Sequence, residues 1–189
     1  MTTDPAIVDH LHEPVYRVVR RNWQNPLDTS FSQRKAADNR WNTDRFPALY
    51  CCCSVPVARA VTLDVFRYSG VEPTDLLPGF RPKLAEVSWS GPVVDVVSAN
   101  GVKAAGFPDR YPAGTTKDET RQSATAWHGK GLLGVVCRSA SLSRRGVSSW
   151  REPHQPWGEV ALFVDNCTNF PSLIGSRDDL DWLRLDVTK

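Results

Sequence analysis

Apolar positions along the chain fall into short runs whose period changes from one run to the next. Val15 to Arg20 (VYRVVR) is β-branched and aromatic, so it reads as a strand. Phe46 to Cys53 (FPALYCCC) is a mostly apolar run of strand length. In Pro56 to Tyr68 (PVARAVTLDVFRY), Val57, Ala60, Val61, Leu63 or Asp64, and Val65 recur near helical spacing. Proline in the first turn and Gly70 just past the end frame that helix. Lys83 to Trp89 (KLAEVSW) alternates like a half-buried strand, Gly91-Pro92 marks a turn, and Val93 to Val97 (VVDVV) is a second strand. A short helix is expected over 101–106. Asp118 to Lys130 reads as a helix with acidic residues in its first turn, ended by Gly131. Leu132 to Arg138 (LLGVVCR) is an apolar, central strand, and Glu159 to Asp165 (EVALFVD) is the last strong one.

The stretches between these runs are polar or rich in proline and glycine. Residues 1–13 read as an arm, 21–45 as a long connection, and 71–82 and 107–117 as loops. Residues 140–157 read as a polar loop with two tryptophans, and the tail as carrying a short helix near 177–185. Strands and helices mix without a regular β-α-β rhythm, so the expected class is α+β rather than doubly wound. The expected organisation is an arm (1–13), one domain (14–172) and a tail (173–189).

Composition narrows the function classes. The 189 residues suit one domain, and a formal charge of +2 argues against a strongly basic nucleic-acid binder. No apolar run approaches the ~18 residues of a membrane helix, and the acidic, polar start MTTDPAIVDHLHEP does not read as a signal peptide. A soluble, cytoplasmic protein is expected. The five cysteines (51, 52, 53, 137 and 167) include three adjacent ones and no C-x-x-C, so they read as buried thiols in a reduced compartment rather than a metal or redox site. His10 and His12 read as solvated. P-loop, dinucleotide-fingerprint, zincin and nucleophile-elbow motifs are absent.

Four stretches set polar residues against apolar strands: Tyr16-Arg17, Asn39-Arg40-Trp41-Asn42, Leu49-Tyr50 and Arg138-Ser139-Ala140-Ser141. Arg17 lies inside an apolar strand, so it either meets an anion or faces solvent. Ser139 sits at the end of LLGVVCR, as a turn former or a binding group. Tyr50 is core packing or a pocket wall.

Together and in this order these stretches resemble the RES-domain family. The resemblance runs over about residues 14–170: Tyr16-Arg17, then Asn39-Arg40-Trp41-Asn42 leading into Phe46-Pro47-Ala48-Leu49-Tyr50, a helix near Ser54-Val55-Pro56, the Val93-Val94-Asp95-Val96 strand, Gly131 to Ser139, and Leu162-Phe163. It implies an ADP-ribosyltransferase-like fold, with mixed sheets and flanking helices, holding NAD+ in a cleft. Members of the family act as toxins of toxin–antitoxin pairs that break the nicotinamide–ribose bond, and some related activities transfer ADP-ribose to protein. By the resemblance, Arg17, Arg40, Trp41, Tyr50 and Ser139 would hold the dinucleotide, and a cognate antitoxin would be a partner. Self-association is left open.

One position departs from the pattern. The family's glutamate stands eleven places after the tyrosine, where this chain has Val61. Asp64, one helical turn on, and Glu159, beside the Ser139 strand, are the candidate replacements. The rival expectations are a module that binds NAD+ or a related nucleotide without turnover, and an interaction protein acting through Trp150 and Trp157.

Overall fold

The computed structural model describes residues 4–10, 14–146 and 158–184. Its strands are β1 (Ile7–His10), β2 (Val15–Arg20), β3 (Leu49–Cys52), β4 (Pro82–Ser88), β5 (Gly91–Val96), β6 (Gly134–Arg138), β7 (Gly158–Leu162) and β8 (Ser172–Arg177). The helices are α1 (Ser30–Arg34), α2 (Val55–Ser69), α3 (Ala99–Ala104), α4 (Lys117–Gly129), α5 (Ala140–Arg144) and α6 (Asp181–Arg184).

All eight strands join one sheet in the order β1-β5-β6-β7-β3-β2-β4-β8. Only β5 and β6 run parallel, joined by a crossover that carries α3 and α4. This is the α+β domain expected, with both pairing senses in a single sheet. Gly134 lets β6 approach β7 closely, because a Cβ there would sit 2.5 Å from the Ala161 carbonyl oxygen.

The local signals explain most boundaries. Thr116 and Glu119 form a capping box at the start of α4, satisfying two orphan donors. Gly70 closes α2 in the left-handed conformation at φ 66°. Burial then places the helices. Ala124 and Trp127 of α4 pack with Trp41, Phe46, Phe107 and Tyr111 over β5, β6 and β7. Val57, Ala58 and Ala60 of α2 pack with Cys52, Leu84, Leu142 and Trp182. The opposite face of the sheet buries Val15, Leu49, Cys51, Val87 and Trp89 with Val136 and Val160.

Three expectations fail. The arm expected over 1–13 contains β1, which pairs antiparallel with β5 from Ile7↔Val94 to His10↔Gly91. The loop expected from 140 begins with α5, capped by the Ser139 side chain. The tail holds an edge strand, β8, before the short helix α6. The two tryptophans proposed for partner contacts, Trp150 and Trp157, lie outside the described residues. Among the described residues no helix is long and apolar enough to cross a membrane.

Candidate functional site

The sheet opens at one place. β2 pairs with β4 along its whole length, Val15↔Val87 to Arg20↔Pro82, but meets β3 at the single pair Tyr16↔Cys52. Beyond that pair the two strands diverge. The gap is a cavity of about 620 Å³, in the range of ligand pockets. Arg17 to Arg20 line one side, Tyr50 the other, and Val61, Thr62, Val65 and Phe66 of α2 a third. Trp23, Phe31, Leu76, Phe80 and Pro82 make the rest of the wall strongly apolar. Tyr50 and Asn39 also line a second cavity of about 190 Å³, with Arg40, Trp41, Cys137, Arg138 and Glu159. Tyr50 is therefore the partition between an apolar hollow and a smaller, charged one.

Arg17 alternates with Tyr16 along β2 and so begins on the sheet face opposite Tyr50. The divergence of the strands lets its side chain line the same cavity. It is only 7% exposed. Nη2 donates to the Asp28 carbonyl at 2.8 Å, while Nη1 is buried and has no hydrogen-bond partner among the described residues. Burial lowers its pKa, opposed by Cys51 and Asp28 nearby. A desolvated guanidinium with one free fork is matched to a planar or phosphate anion.

The Arg40 loop is held from three sides. Tyr50 Oη accepts the Trp41 N–H and donates to Asn42 Oδ1. The Asn39 and Asn42 amides both donate to the Ser32 carbonyl, at 2.8 and 3.2 Å. Arg121 of α4 donates to the Ala37 carbonyl at 2.6 Å. Trp41 is buried, stacked on Trp127 with centroids 5.8 Å apart, and its Nε1 donates to Cys137 Sγ at 3.3 Å. It anchors the loop more than it faces the cavity. Arg40 itself stays half-buried in the smaller cavity. Burial pushes the Tyr50 hydroxyl well above its usual range, so it remains a neutral hydrogen-bonding group.

Strand register gathers the other groups. Glu159 on β7 stands opposite Cys52 on β3 and Cys137 on β6. Residues opposite each other share a face, so a carboxylate sits between two thiols, one diagonal from Tyr50. Burial raises the Glu159 pKa, while the Ser139 hydroxyl, Arg40 and Arg144 pull it back. Burial likewise pushes Cys137 up to about 12, which leaves it an uncharged thiol. Ser139 is fully buried, caps α5 through Leu142 N–H, and lines neither cavity. Its hydroxyl reaches Glu159 instead.

Asp64 points elsewhere. Arg144 Nη2 donates to Oδ2 at 2.7 Å and Arg145 Nη2 to Oδ1 at 3.2 Å, so Asp64 fastens α2 to α5. It lines neither cavity. Val61, in the family's glutamate position, does line the larger one. Arg17 and Tyr50 thus line the larger cavity and Tyr50, Arg40 and Glu159 the smaller one beside it, with Ser139 behind Glu159, while Asp64 lines neither. Asn39, Asn42, Cys137, Arg138 and Arg144 belong to the same surroundings. Cys137 reads in the sequence as a buried thiol and Arg144 carries no local signal, while Asn39, Asn42 and Arg138 lie in the singled-out stretches without an assigned role. Arg138 is the charge that closes the apolar strand β6. Its Nε and Nη1 donate to the Val97, Asp109 and Tyr111 carbonyls, fixing the wall of the smaller cavity. No group of three or more His, Cys, Asp or Glu among the described residues is placed to hold a metal ion.

Comparison with known proteins gives two matches. The family model described as the RES domain matches residues 14–173. The chain's fold is similar to a solved chain from the crystal structure of the M. tuberculosis MbcT–MbcA toxin–antitoxin complex. The TM-score is 0.68 at 14% identity, covering 89% of this chain and 84% of that one. No curated protein matches.

Proposed function

The chain belongs to the RES-domain family, and from that premise we propose that it binds NAD+ across the two cavities and breaks the bond between nicotinamide and ribose. The observation that carries this reading is that Arg17, a buried guanidinium with one nitrogen left unpartnered among the described residues, lines the larger cavity. Arg17 takes a pyrophosphate oxygen from one side and Arg40 from the other. The Tyr50 ring packs against the nicotinamide at the partition. Glu159, rather than Asp64, is the carboxylate, because it lines the smaller cavity while Asp64 lines neither.

The chemistry follows from charge. As the C1′–N bond breaks, its electron pair passes to the pyridinium nitrogen and nicotinamide leaves neutral. The positive charge moves to the ribose as an oxocarbenium-like centre, which the Glu159 carboxylate stabilises. Water then adds to C1′, and its proton passes to Glu159 or to solvent. The products are ADP-ribose and nicotinamide. A protein nucleophile in place of water makes the same step an ADP-ribosyl transfer. The chain works in the cytoplasm, where NAD+ is found, as a toxin restrained by a protein antitoxin. The likeness to a chain from a toxin–antitoxin complex supports this.

The test is nicotinamide release from NAD+ by the full-length purified chain. Release is expected, falling by ~100-fold or more in Glu159→Gln and at least as far in Arg17→Ala. No release by the folded protein, with Arg17→Ala binding NAD+ as the wild type does, defeats the reading. Val61 in the cleft wall favours a second reading, NAD+ binding without turnover. Calorimetry showing binding with no product supports it, and a gain of activity in Val61→Glu supports it further.

A further inference from the structure

The larger cavity carries information about which dinucleotide enters. The reacting end belongs beside Glu159 and Arg40, so the adenosine half lies beyond Tyr50, in the larger cavity. Its aromatic walls, Trp23, Phe31 and Phe80, suit a planar base. Trp23 and Phe31 meet edge-on at 5.8 Å, and Phe31 and Phe80 remain 44% and 46% exposed, so the hollow is open at that end.

The charged side chains that line this cavity all have one sign. Among the described residues, the lining of the larger cavity includes two cations, Arg17 and Arg20, and no carboxylate. Proteins that select the ribose 2′-hydroxyl commonly place a carboxylate against it, which also repels a 2′-phosphate, whereas an arginine accommodates the phosphate. Arg20 is exposed at the mouth, its guanidinium carbon 5.5 Å from the Phe80 ring centroid. Its neighbours Arg21 and Arg81 are tied to the Asp178, Leu76 and Thr74 carbonyls. The Arg20 guanidinium has no hydrogen bond or ion pair among the described residues. Stacking on Phe80 holds it in place and leaves its N–H edge free.

We propose that the cleft accepts the 2′-phosphorylated dinucleotide NADP+ as well as NAD+, with the Arg20 guanidinium at the mouth as the partner of the 2′-phosphate. This rests on the dinucleotide reading of the cleft. The bond broken and the electron flow are the same for both substrates.

The experiment compares NADP+ and NAD+ with the full chain, by nicotinamide release and by calorimetry. The efficiency for NADP+ is expected within about tenfold of that for NAD+. Arg20→Ala should raise KM for NADP+ by about 10-fold more than it raises KM for NAD+, the difference being greatest at low salt. Arg20→Lys should recover part of the loss. If NAD+ binds without turnover, the same ratios are read from Kd. Handling of NAD+ with exclusion of NADP+, or an equal effect of Arg20→Ala on both, overturns the proposal and leaves the NAD+ reading intact. Failure to bind either nucleotide overturns the reading of the cleft and this proposal with it.

Discussion

Tyr50 accepts the backbone N–H of Trp41 at 2.9 Å, tying the central strand β3 to the loop that presents Arg40. The same hydroxyl donates to Asn42 Oδ1 at 2.8 Å. Tyr50→Phe keeps the ring and removes both bonds. It should cost about 1–3 kcal/mol in denaturant unfolding. NAD+ affinity should also fall, because the Arg40 loop loses its fixed position. A variant with unchanged affinity would mean that Asn39 and Arg121 hold the loop alone.

Arg17 sets stability against binding. Its half-satisfied guanidinium is desolvated, and an apolar residue of similar length avoids that cost. Arg17→Met should therefore unfold at equal or higher temperature than the wild type, while NAD+ affinity drops ~10-fold or more. Calorimetric titration beside thermal unfolding separates the two effects.

Glu159 makes a pH-dependent contribution. Burial raises its pKa in the folded chain, so the fold favours the protonated form. The associated stability is present at acid pH and is lost as pH rises through the raised value. Glu159→Gln should then be more stable than the wild type at neutral pH, with the difference vanishing in acid. Turnover needs the charged form and should rise with pH through a value above the ordinary carboxylate range.

Asp64 should behave as a fastener. Burial would raise its pKa, but hydrogen bonds from Arg144, Ser141 and Arg145 outweigh this and hold it below the usual range. Its stabilisation is present above the unfolded pKa and is lost as pH falls through the lowered value. Asp64→Asn should cost about 1–3 kcal/mol, since two partly exposed arginines lose their shared carboxylate. Turnover by the folded fraction should drop far less than in Glu159→Gln.

The sequence makes β2, α2 and α4 legible because each carries its own signal: β-branched residues, Pro56 with Gly70, and acidic residues in the first turn of α4. It hides β1 and β8, which are edge strands held by backbone pairing rather than by an apolar face. Ile7, Leu173 and Ile174 are all exposed there. It hides α5, a five-residue helix (Ala140–Arg144) with a single large apolar side chain, Leu142, held by Asp64 from another helix. The site follows the same division. Arg17 is readable as a cation inside an apolar strand. The placement of Glu159 between Cys52 and Cys137 depends on register across three strands, which no local pattern encodes. Asp64 satisfies helical spacing, yet its ion pairs with Arg144 and Arg145 turn it from the cleft.

The lone Tyr16↔Cys52 pair also makes a hinge. Five strands, β1, β5, β6, β7 and β3, lie to one side of it, and three, β2, β4 and β8, to the other. Each group keeps its own full ladders, so bending at the seam between them breaks few hydrogen bonds. The larger cavity therefore opens along the line of the sheet with the fewest ladder pairs. Arg17 and Tyr50 stand on opposite sides of that line, so their separation is the one dimension of the cavity that neither strand group fixes by its own ladder.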